Sequence, residues 1–265
     1  MDRSVVAHSI LLFRELTAMS LSRLFACTAL VAAALTVAPV SAEEGFTSLF
    51  NGKDFTNWKV PEGDGGHWKI VDGVIDYDGD SQAPKDKHVW SEKTYKDFIF
   101  RCEWRIKSTP YLNPRVPIIK MDGTHKLDAD GKPITFTLPD SDSGILLRGS
   151  MKSQVNIWCW PCGSGEVYGY RMDQSMPPAV RAALVPKENA DKNIGEWNQY
   201  EITVKGNRVT VVLNGVKVLD AAELPGLPET GPVGLQHHGN KNAKGEWTSP
   251  PALVQFRNIE IKELP

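Results

Sequence analysis

Short segments in which apolar and polar residues alternate occupy most of the chain after Phe46. In Phe98–Ile106 the even-numbered residues are all apolar, and this period of two predicts a strand with one buried face. The dipeptide Asn214-Gly215 predicts a tight hairpin turn, since both positions accept positive φ angles. Further strands are predicted at His67–Val71, Ile145–Arg148, Gln154–Trp160, Gln199–Val204, Arg208–Leu213, Val216–Leu219 and Leu253–Ile261. Because only Pro177–Leu184 looks helical, we predict an all-β fold, a sandwich of two antiparallel sheets.

The alternation also assigns each side chain to a face of its strand. Val233 and Leu235 should turn inward, so that their polar neighbours turn outward. His237 and His238 should then face opposite ways, which argues against both binding one metal ion. The polar or aromatic residues predicted to face outward include Glu103, Asn156, Trp158, Trp160, Gln236 and His238.

The first residues have the pattern of an export signal. Met19–Ala42 contains a basic residue, an apolar run and the sequence Val-Ser-Ala before Glu43. We predict that residues 1–42 are an upstream extension plus a Sec signal peptide, with the true start at Met19, and that residues 43–265 form a single domain. The apolar run is shorter than the roughly 20 residues of a membrane-spanning helix, and no second run occurs. We therefore expect a periplasmic or secreted protein without a stable membrane anchor.

Composition and charge exclude several classes of function. The formal net charge of -2 provides no basic field for a phosphate backbone, so nucleic acid is not expected as a partner. The chain contains 22 Gly, 18 Pro and 8 Trp, a composition that argues against a helical bundle, and its 4 Cys are too few for a disulfide scaffold. Cys159 and Cys162 either form a local disulfide or stay as two inert thiols, and Cys102 is predicted to be a buried thiol. The sequence Cys159-Trp160-Pro161-Cys162 has the spacing of a thioredoxin site, but that chemistry needs a helix after the first Cys, and here Gly163-Ser164-Gly165 follows in an all-β chain.

An ordered set of motifs spans nearly the whole chain after residue 44. They include Gly45–Asp54, Trp68–Gly73, Asp97-Phe98, Glu103–Arg105, Asp142–Ile145, Gly195–Asn198, Leu213–Gly215, Gly234–Gly239 and Phe256–Ile259. Together they resemble the 3-keto-disaccharide hydrolase family. The resemblance implies a concanavalin-like jelly-roll sandwich that acts on sugars oxidised at C3, as a 3-keto-glucoside 1,2-lyase or a hydratase of the resulting 2-hydroxyglucal.

Two features depart from the family pattern. Asn156 stands where many members have a carboxylate, which weakens a catalytic role at that position. Thr109–Asp140 looks like an insertion relative to short members and is predicted to form an extra hairpin over one end of the sandwich. This hairpin either shapes a substrate pocket or only decorates the edge, and the second interpretation is favoured.

The implied chemistry selects the catalytic candidates. A ketone at C3 acidifies the C2 hydrogen, so cleavage needs a base at C2, a stabiliser of the enolate oxygen and an acid at the leaving oxygen. We predict Glu103 and His238 for proton transfer and Arg148 for the enolate. Structural roles compete with these: Glu103 could pair with Arg105 or Arg148, His238 could be a hydrogen-bonded rim residue, and Arg148 could pair with Asp142 or Glu103.

The remaining candidates are predicted to bind substrate. Trp158 and Tyr168 offer flat faces for a pyranose ring. For Trp160, packing beneath the insertion is the favoured interpretation. The candidates for hydrogen bonds to sugar hydroxyls are Asp142, Asn156, Glu166 and Gln236.

We predict an exported enzyme that binds a small carbohydrate and cleaves 3-keto-glycosides by elimination across C1 and C2, with hydration as a second step that the sequence leaves open. Two alternatives stay open: a carbohydrate-binding module without catalysis, and a conventional glycoside hydrolase that uses Glu103 with Glu166. No cofactor is required by the sequence. A divalent metal ion held by His238 and acidic neighbours would be an alternative enolate stabiliser, although no ligand spacing supports it.

Overall fold

The computed structural model describes residues 45–265, which form two antiparallel sheets and a separate hairpin. The larger sheet has the strand order β13 (Val216–Glu223), β12 (Arg208–Leu213), β11 (Asn198–Lys205), β6 (Phe98–Ile106), β15 (Val254–Glu263), β4 (Val74–Tyr77) and β3 (Trp68–Val71), and β1 (Thr47–Ser48) also pairs with β15. The smaller sheet has the order β10 (Ser150–Ile157), β9 (Ser143–Leu147), β14 (Gly234–Leu235), β5 (Val89–Ser91) and β2 (Trp58–Lys59). The hairpin consists of β7 (Tyr111–Pro117) and β8 (Thr135–Asp140).

The predicted all-β class and antiparallel sandwich are confirmed, and each predicted strand overlaps an observed one. The predicted helix is α2 (Pro178–Ala183). A second helix in the described residues, α1 (Tyr168–Arg171), was not predicted, because four residues are too few to show a helical period. The Asn214-Gly215 turn has the expected positive φ angles of 53° and 84°.

The core lies between the inner faces of the two sheets. In β6 every even-numbered residue from Phe98 to Ile106 is buried, as the alternation predicts. The smaller sheet contributes Ile145, Leu147, Val155 and Ile157 to the same core. Packing of these faces leaves each sheet with a second, outward face, and the two outward faces lie on opposite sides of the molecule.

Arg148 does not lie on a polar outward face. It occupies the turn between β9 and β10 with φ of 49°, and its side chain is buried. One terminal nitrogen donates to the carbonyl oxygens of Gly206 and Pro228 at 2.8 and 3.0 Å, and the other donates to Asp97 at 2.9 Å. The predicted role of Arg148 at the enolate is therefore wrong, and so is the alternative pairing with Asp142 or Glu103. Arg148 instead ties the turn to the larger sheet.

The predicted signal peptide lies outside the described residues. Within residues 45–265, no helix has the length and apolar character needed to cross a bilayer.

We expect Arg148→Met to lower the free energy of unfolding of the protein. The change leaves two carbonyl oxygens and the carboxylate of Asp97 without their buried donor, at a cost of about 2–4 kcal/mol in the free energy of unfolding. Urea denaturation measures this loss. Lys96→Met removes the exposed ion pair with Glu229 and should change the stability little. Equal stability of Arg148→Met and wild type would contradict the structural role.

Candidate active site

A groove crosses the outward face of the smaller sheet at β10, β9 and β14. Pairing of Asn156 with Gly144, and a hydrogen bond from the Gln236 backbone N–H to the Gly144 carbonyl oxygen at 3.0 Å, bring the three strands together. The groove has a volume of about 300 Å³, at the lower end of the range for small-molecule sites. Its lining includes Asn113, Asp140, Asp142, Gln154, Asn156, Trp158, Trp160, Tyr168, Gln236 and His238.

His238 and Asp142 form the titratable pair of the groove. His238 Nδ1 lies 2.5 Å from the carbonyl oxygen of Pro250 and must donate its proton there, because a carbonyl can only accept. The neutral ring then has its basic lone pair on Nε2, which lies 3.8 Å from Asp142 Oδ2. The structure therefore presents a base in the groove with a carboxylate beside it.

The environment of Asp142 disfavours its charged form. Burial raises the pKa of this carboxyl to about 6, and the negative charge of Asp140 adds to the rise, whereas His238 opposes it. A carboxyl with a pKa near neutrality exchanges protons readily at physiological pH, as an acid–base catalyst must.

Two buried oxygen atoms in the groove have no hydrogen-bond donor among the described residues. They are Asp142 Oδ1 and Gln236 Oε1. Leaving a buried acceptor unsatisfied costs about 1–3 kcal/mol, so such atoms usually mark the place of a ligand or of water. Both would be satisfied by a molecule that presents hydroxyl groups.

Aromatic rings form one wall of the groove. Trp158 and Trp160 are stacked with centroids 4.1 Å apart, and Tyr168 meets both edge-on at 6.1 and 6.3 Å. Trp158 is 3 % exposed and its Nε1 donates to Gly163, whereas Tyr168 is 40 % exposed. Tyr168 therefore offers the accessible ring, and Trp158 supports the wall from behind.

The inserted hairpin is part of this groove. Asp140, the last residue of β8, accepts hydrogen bonds from Asn113 Nδ2 at 2.8 Å and Trp160 Nε1 at 3.0 Å. Asn113 and Asp140 both line the cavity, so the favoured interpretation of the insertion as edge decoration is wrong. Asn113 lies outside every family-like motif, and nothing in the sequence pointed to it.

Glu166 anchors the far end of the insertion and does not line the groove. It is fully buried in an ion pair with Arg171, and burial raises its pKa to about 7. Arg171 also donates to the Gly123 carbonyl oxygen at 3.3 Å and contacts His125 Nε2 at 3.2 Å, both within the insertion. The prediction that Glu166 contacts the substrate is therefore wrong, because its carboxylate is buried against Arg171.

Glu103 lies on the larger sheet, away from the groove. Its carboxylate accepts hydrogen bonds from Arg257 at 2.7 Å and Asn258 at 2.9 Å, both on β15 of the same sheet. The prediction that Glu103, Arg148 and His238 share one face is therefore wrong, because outward residues of different sheets point to opposite sides. Among the residues predicted for the site, the groove brings together Asp142, Asn156, Trp158, Tyr168, Gln236 and His238.

The donors in the groove do not fit a metal ion. No cluster of three or more His, Cys, Asp or Glu ligands exists within residues 45–265. Asp140 already accepts hydrogen bonds on both oxygens, which leaves Asp142 and His238 as a two-ligand set. His237 faces away, with its Nδ1 bonded to the Tyr77 hydroxyl at 2.5 Å.

The three described cysteines are free thiols. Burial raises the pKa of Cys159 to about 12 and also raises those of Cys102 and Cys162. Thiols this hard to ionise are poor nucleophiles. Cys159 and Cys162 therefore correspond to the alternative of two inert thiols.

Comparison with known proteins adds a family and a fold. A family model described as the 3-keto-alpha-glucoside-1,2-lyase-like domain matches residues 45–262. Two crystal structures of candidate glycosyl hydrolases from Parabacteroides distasonis are similar in fold. One is 23% identical with a TM-score of 0.55, covering 83% of this chain and 84% of its own. The other is 22% identical with a TM-score of 0.50, covering 84% and 95%. No curated protein matches the sequence.

Asp142→Asn should stabilise the protein at neutral pH. A carboxyl whose pKa is about 6 when folded and 3.8 in its ordinary state binds a proton more tightly in the folded protein. The contribution of Asp142 to wild-type stability should therefore be highest below pH 4, fall as the pH rises through 4 to 6, and be level above. The variant should lack this fall and exceed wild type by on the order of 2 kcal/mol at pH 7.

Urea denaturation of both proteins across this pH range measures the difference. Asp122→Asn is the matched control, because hydrogen bonds from the side chain and backbone of Thr124 lower the pKa of Asp122 to about 2. That variant should fall below wild type as the pH rises from about 2 to 4 and should run parallel to wild type through the window of Asp142. Parallel curves for wild type and Asp142→Asn would contradict the assignment.

Proposed function

The chain belongs to the 3-keto-alpha-glucoside-1,2-lyase-like family, and on that premise we propose that it cleaves 3-keto-glycosides by elimination across C1 and C2, followed by hydration. The observation that carries the proposal is the His238–Asp142 pair, in which a basic Nε2 faces a groove with unsatisfied acceptors. The net outcome is hydrolysis of the glycosidic bond.

The first step removes a proton that only the ketone makes acidic. His238 Nε2 takes the C2 proton, and the electron pair of the C2–H bond becomes the enolate of the C3 ketone. The enolate then collapses to re-form the ketone and a C1=C2 double bond as the C1–O bond breaks, and the imidazolium returns its proton to the leaving oxygen. Water added to C1, with a proton at C2, completes the conversion to a free 3-keto sugar and an alcohol.

Other groove residues support this cycle. The Asp142 carboxylate, 3.8 Å from Nε2, stabilises the imidazolium that forms when His238 accepts the proton. The bond from Nδ1 to Pro250 fixes the ring so that Nε2 is the reacting atom. Asn156 lines the groove and makes no side-chain hydrogen bond within residues 45–265, so its amide N–H can donate to the developing enolate oxygen.

The substrate requirement is the direct test. We expect the mature protein to release the aglycone from a 3-keto-glucoside and to leave the unoxidised parent glucoside intact, because the parent has no acidic C2 hydrogen. Chromatography of the released aglycone measures both. His238→Ala should lower kcat on the keto substrate by ~10²–10⁴-fold, the usual contribution of a positioned acid–base group.

Two variants serve as controls. Glu103→Gln, on the larger sheet, and His67→Ala, whose ring bonds to Asp78, should keep activity close to wild type. Full activity of His238→Ala would show that the base lies elsewhere. Cleavage of the parent glucoside alone would favour a two-carboxylate hydrolase, and sugar binding without any turnover would favour a binding module.

We further propose that the protein is exported, on the strength of the pattern in Met19–Ala42. Expression of the full chain in a bacterium should yield a periplasmic or secreted form that begins at Glu43. N-terminal sequencing identifies the cleavage site. A cytoplasmic product that retains residues 19–42 would contradict export.

A further inference from the structure

A second cavity lies on the same outward face of the smaller sheet, over β5 and β2. Its volume is about 570 Å³, larger than that of the groove. The residues that matter here are Lys59, Glu62, Lys85, His88 and Trp90. None of them takes part in the proposed proton transfer.

The register of the sheet places this cavity next to the groove. Strand β5 pairs with β14 through Val89 with Leu235 and Trp90 with Gly234. Continuing this register places His88 beside Gln236, and the His237 backbone N–H donates to His88 Nδ1 at 2.9 Å. Burial lowers the pKa of His88, the Asp86 carboxylate opposes this, and the His238 ring adds to the lowering. The groove that contains His238 and Asp142 and this cavity are thus neighbours on one face of the sheet.

Trp90 is held as a flat platform in this cavity. A Cβ atom at Gly234 would lie 2.6 Å from Trp90 Cε3, so the absence of a side chain on β14 lets the indole ring lie directly on the sheet. Its Nε1 donates to Asp86 Oδ2 at 2.6 Å, which fixes the ring in its plane. The apolar C–H face of a pyranose ring packs well on such a plane.

Polar groups of both signs surround the platform. Within residues 45–265, Lys59, Lys85 and Glu62 have no ion-pair or hydrogen-bond partner for their side chains, whereas both oxygens of Asp86 accept hydrogen bonds. An aromatic plane with donors and an acceptor at its rim suits a neutral polyhydroxylated ring. The two lysines and the carboxylates of Glu62 and Asp86 balance in charge, so the rim has no net positive charge that would select a phosphate or carboxylate.

We propose that this cavity is the binding site for the leaving-group sugar of a 3-keto-disaccharide, with Trp90 as its stacking platform. The proposal rests on the proposed function, with the oxidised sugar in the groove, where Tyr168 offers the accessible aromatic ring. The glycosidic oxygen then lies near His238, between the two aromatic platforms, where the proton must be delivered. Trp90 is a specificity residue for the leaving group and not a catalytic residue.

The test compares two substrates that differ only in the leaving group: a 3-keto-disaccharide and methyl 3-keto-glucoside. Trp90→Ala should raise KM for the disaccharide about tenfold, equivalent to about 1.4 kcal/mol of lost binding, with kcat little changed. The methyl glycoside should be cleaved as by wild type, within about twofold, since it does not reach Trp90.

Three further variants separate this role from a structural one. Gly234→Ala keeps the indole but displaces it and should give the same selective loss, whereas Trp90→Phe should restore part of the disaccharide affinity. Trp197→Ala removes an indole that stacks against Arg257 and Arg105 on the opposite face and should leave both substrates unaffected. Equal losses on both substrates in Trp90→Ala, or no loss on the disaccharide, would overturn the subsite.

Failure of the proposed function gives a different result. If wild type cleaves neither keto substrate, the chemistry is refuted, and calorimetric titration with the unoxidised disaccharide and with methyl glucoside decides the subsite. Tighter binding of the disaccharide, with the difference abolished in Trp90→Ala, supports the site. Equal affinity of wild type for both sugars would contradict the proposed subsite.

Discussion

The burial of one face of the smaller sheet against the larger sheet determines which side chains point outward from the other face. The inner residues Ile145, Leu147, Val155 and Ile157 are fixed in the core, and the strict alternation of a strand then forces Asn156 and its neighbours outward. Because adjacent strands share this alternation, their outward side chains form rows across the sheet. The groove with its His238–Asp142 pair and the Trp90 platform all lie on this outward face.

The groove keeps polar atoms in a state that folding by itself does not favour. Asp142 is ionised at neutral pH in surroundings that favour its neutral form, and Gln236 leaves a buried oxygen without a donor. Proteins tolerate such costs where a substrate repays them in binding or in the transition state. The buried pair of Glu166 with Arg171 is the opposite case, since nearly all of its hydrogen-bonding atoms have partners within the protein.

Sequence alternation predicts the strands and the inward or outward direction of each side chain, and for Gln236, His238 and Asn156 this was sufficient to find the groove. It does not say to which sheet a strand belongs. Glu103 and His238 are both outward, yet a sandwich has two outward faces, and only the strand order separates them. The prediction for Arg148 was wrong for another reason. This residue follows the strand with a positive φ, so the alternation that relates it to Asp142 no longer determines the direction of its side chain. Trp90 was not found because its platform depends on the pairing with Gly234, a contact across 144 residues of chain.

The inserted hairpin is fastened at both of its ends. Its base is held where Asn113 and Trp160 donate to Asp140, and its tip is held by Arg171 through Gly123 and His125. A wall secured in this way is already ordered before a sugar arrives, so binding does not bear the conformational entropy of closing a lid. The residence time of a ligand in the groove should then depend on its contacts with the lining side chains and not on the opening of the hairpin.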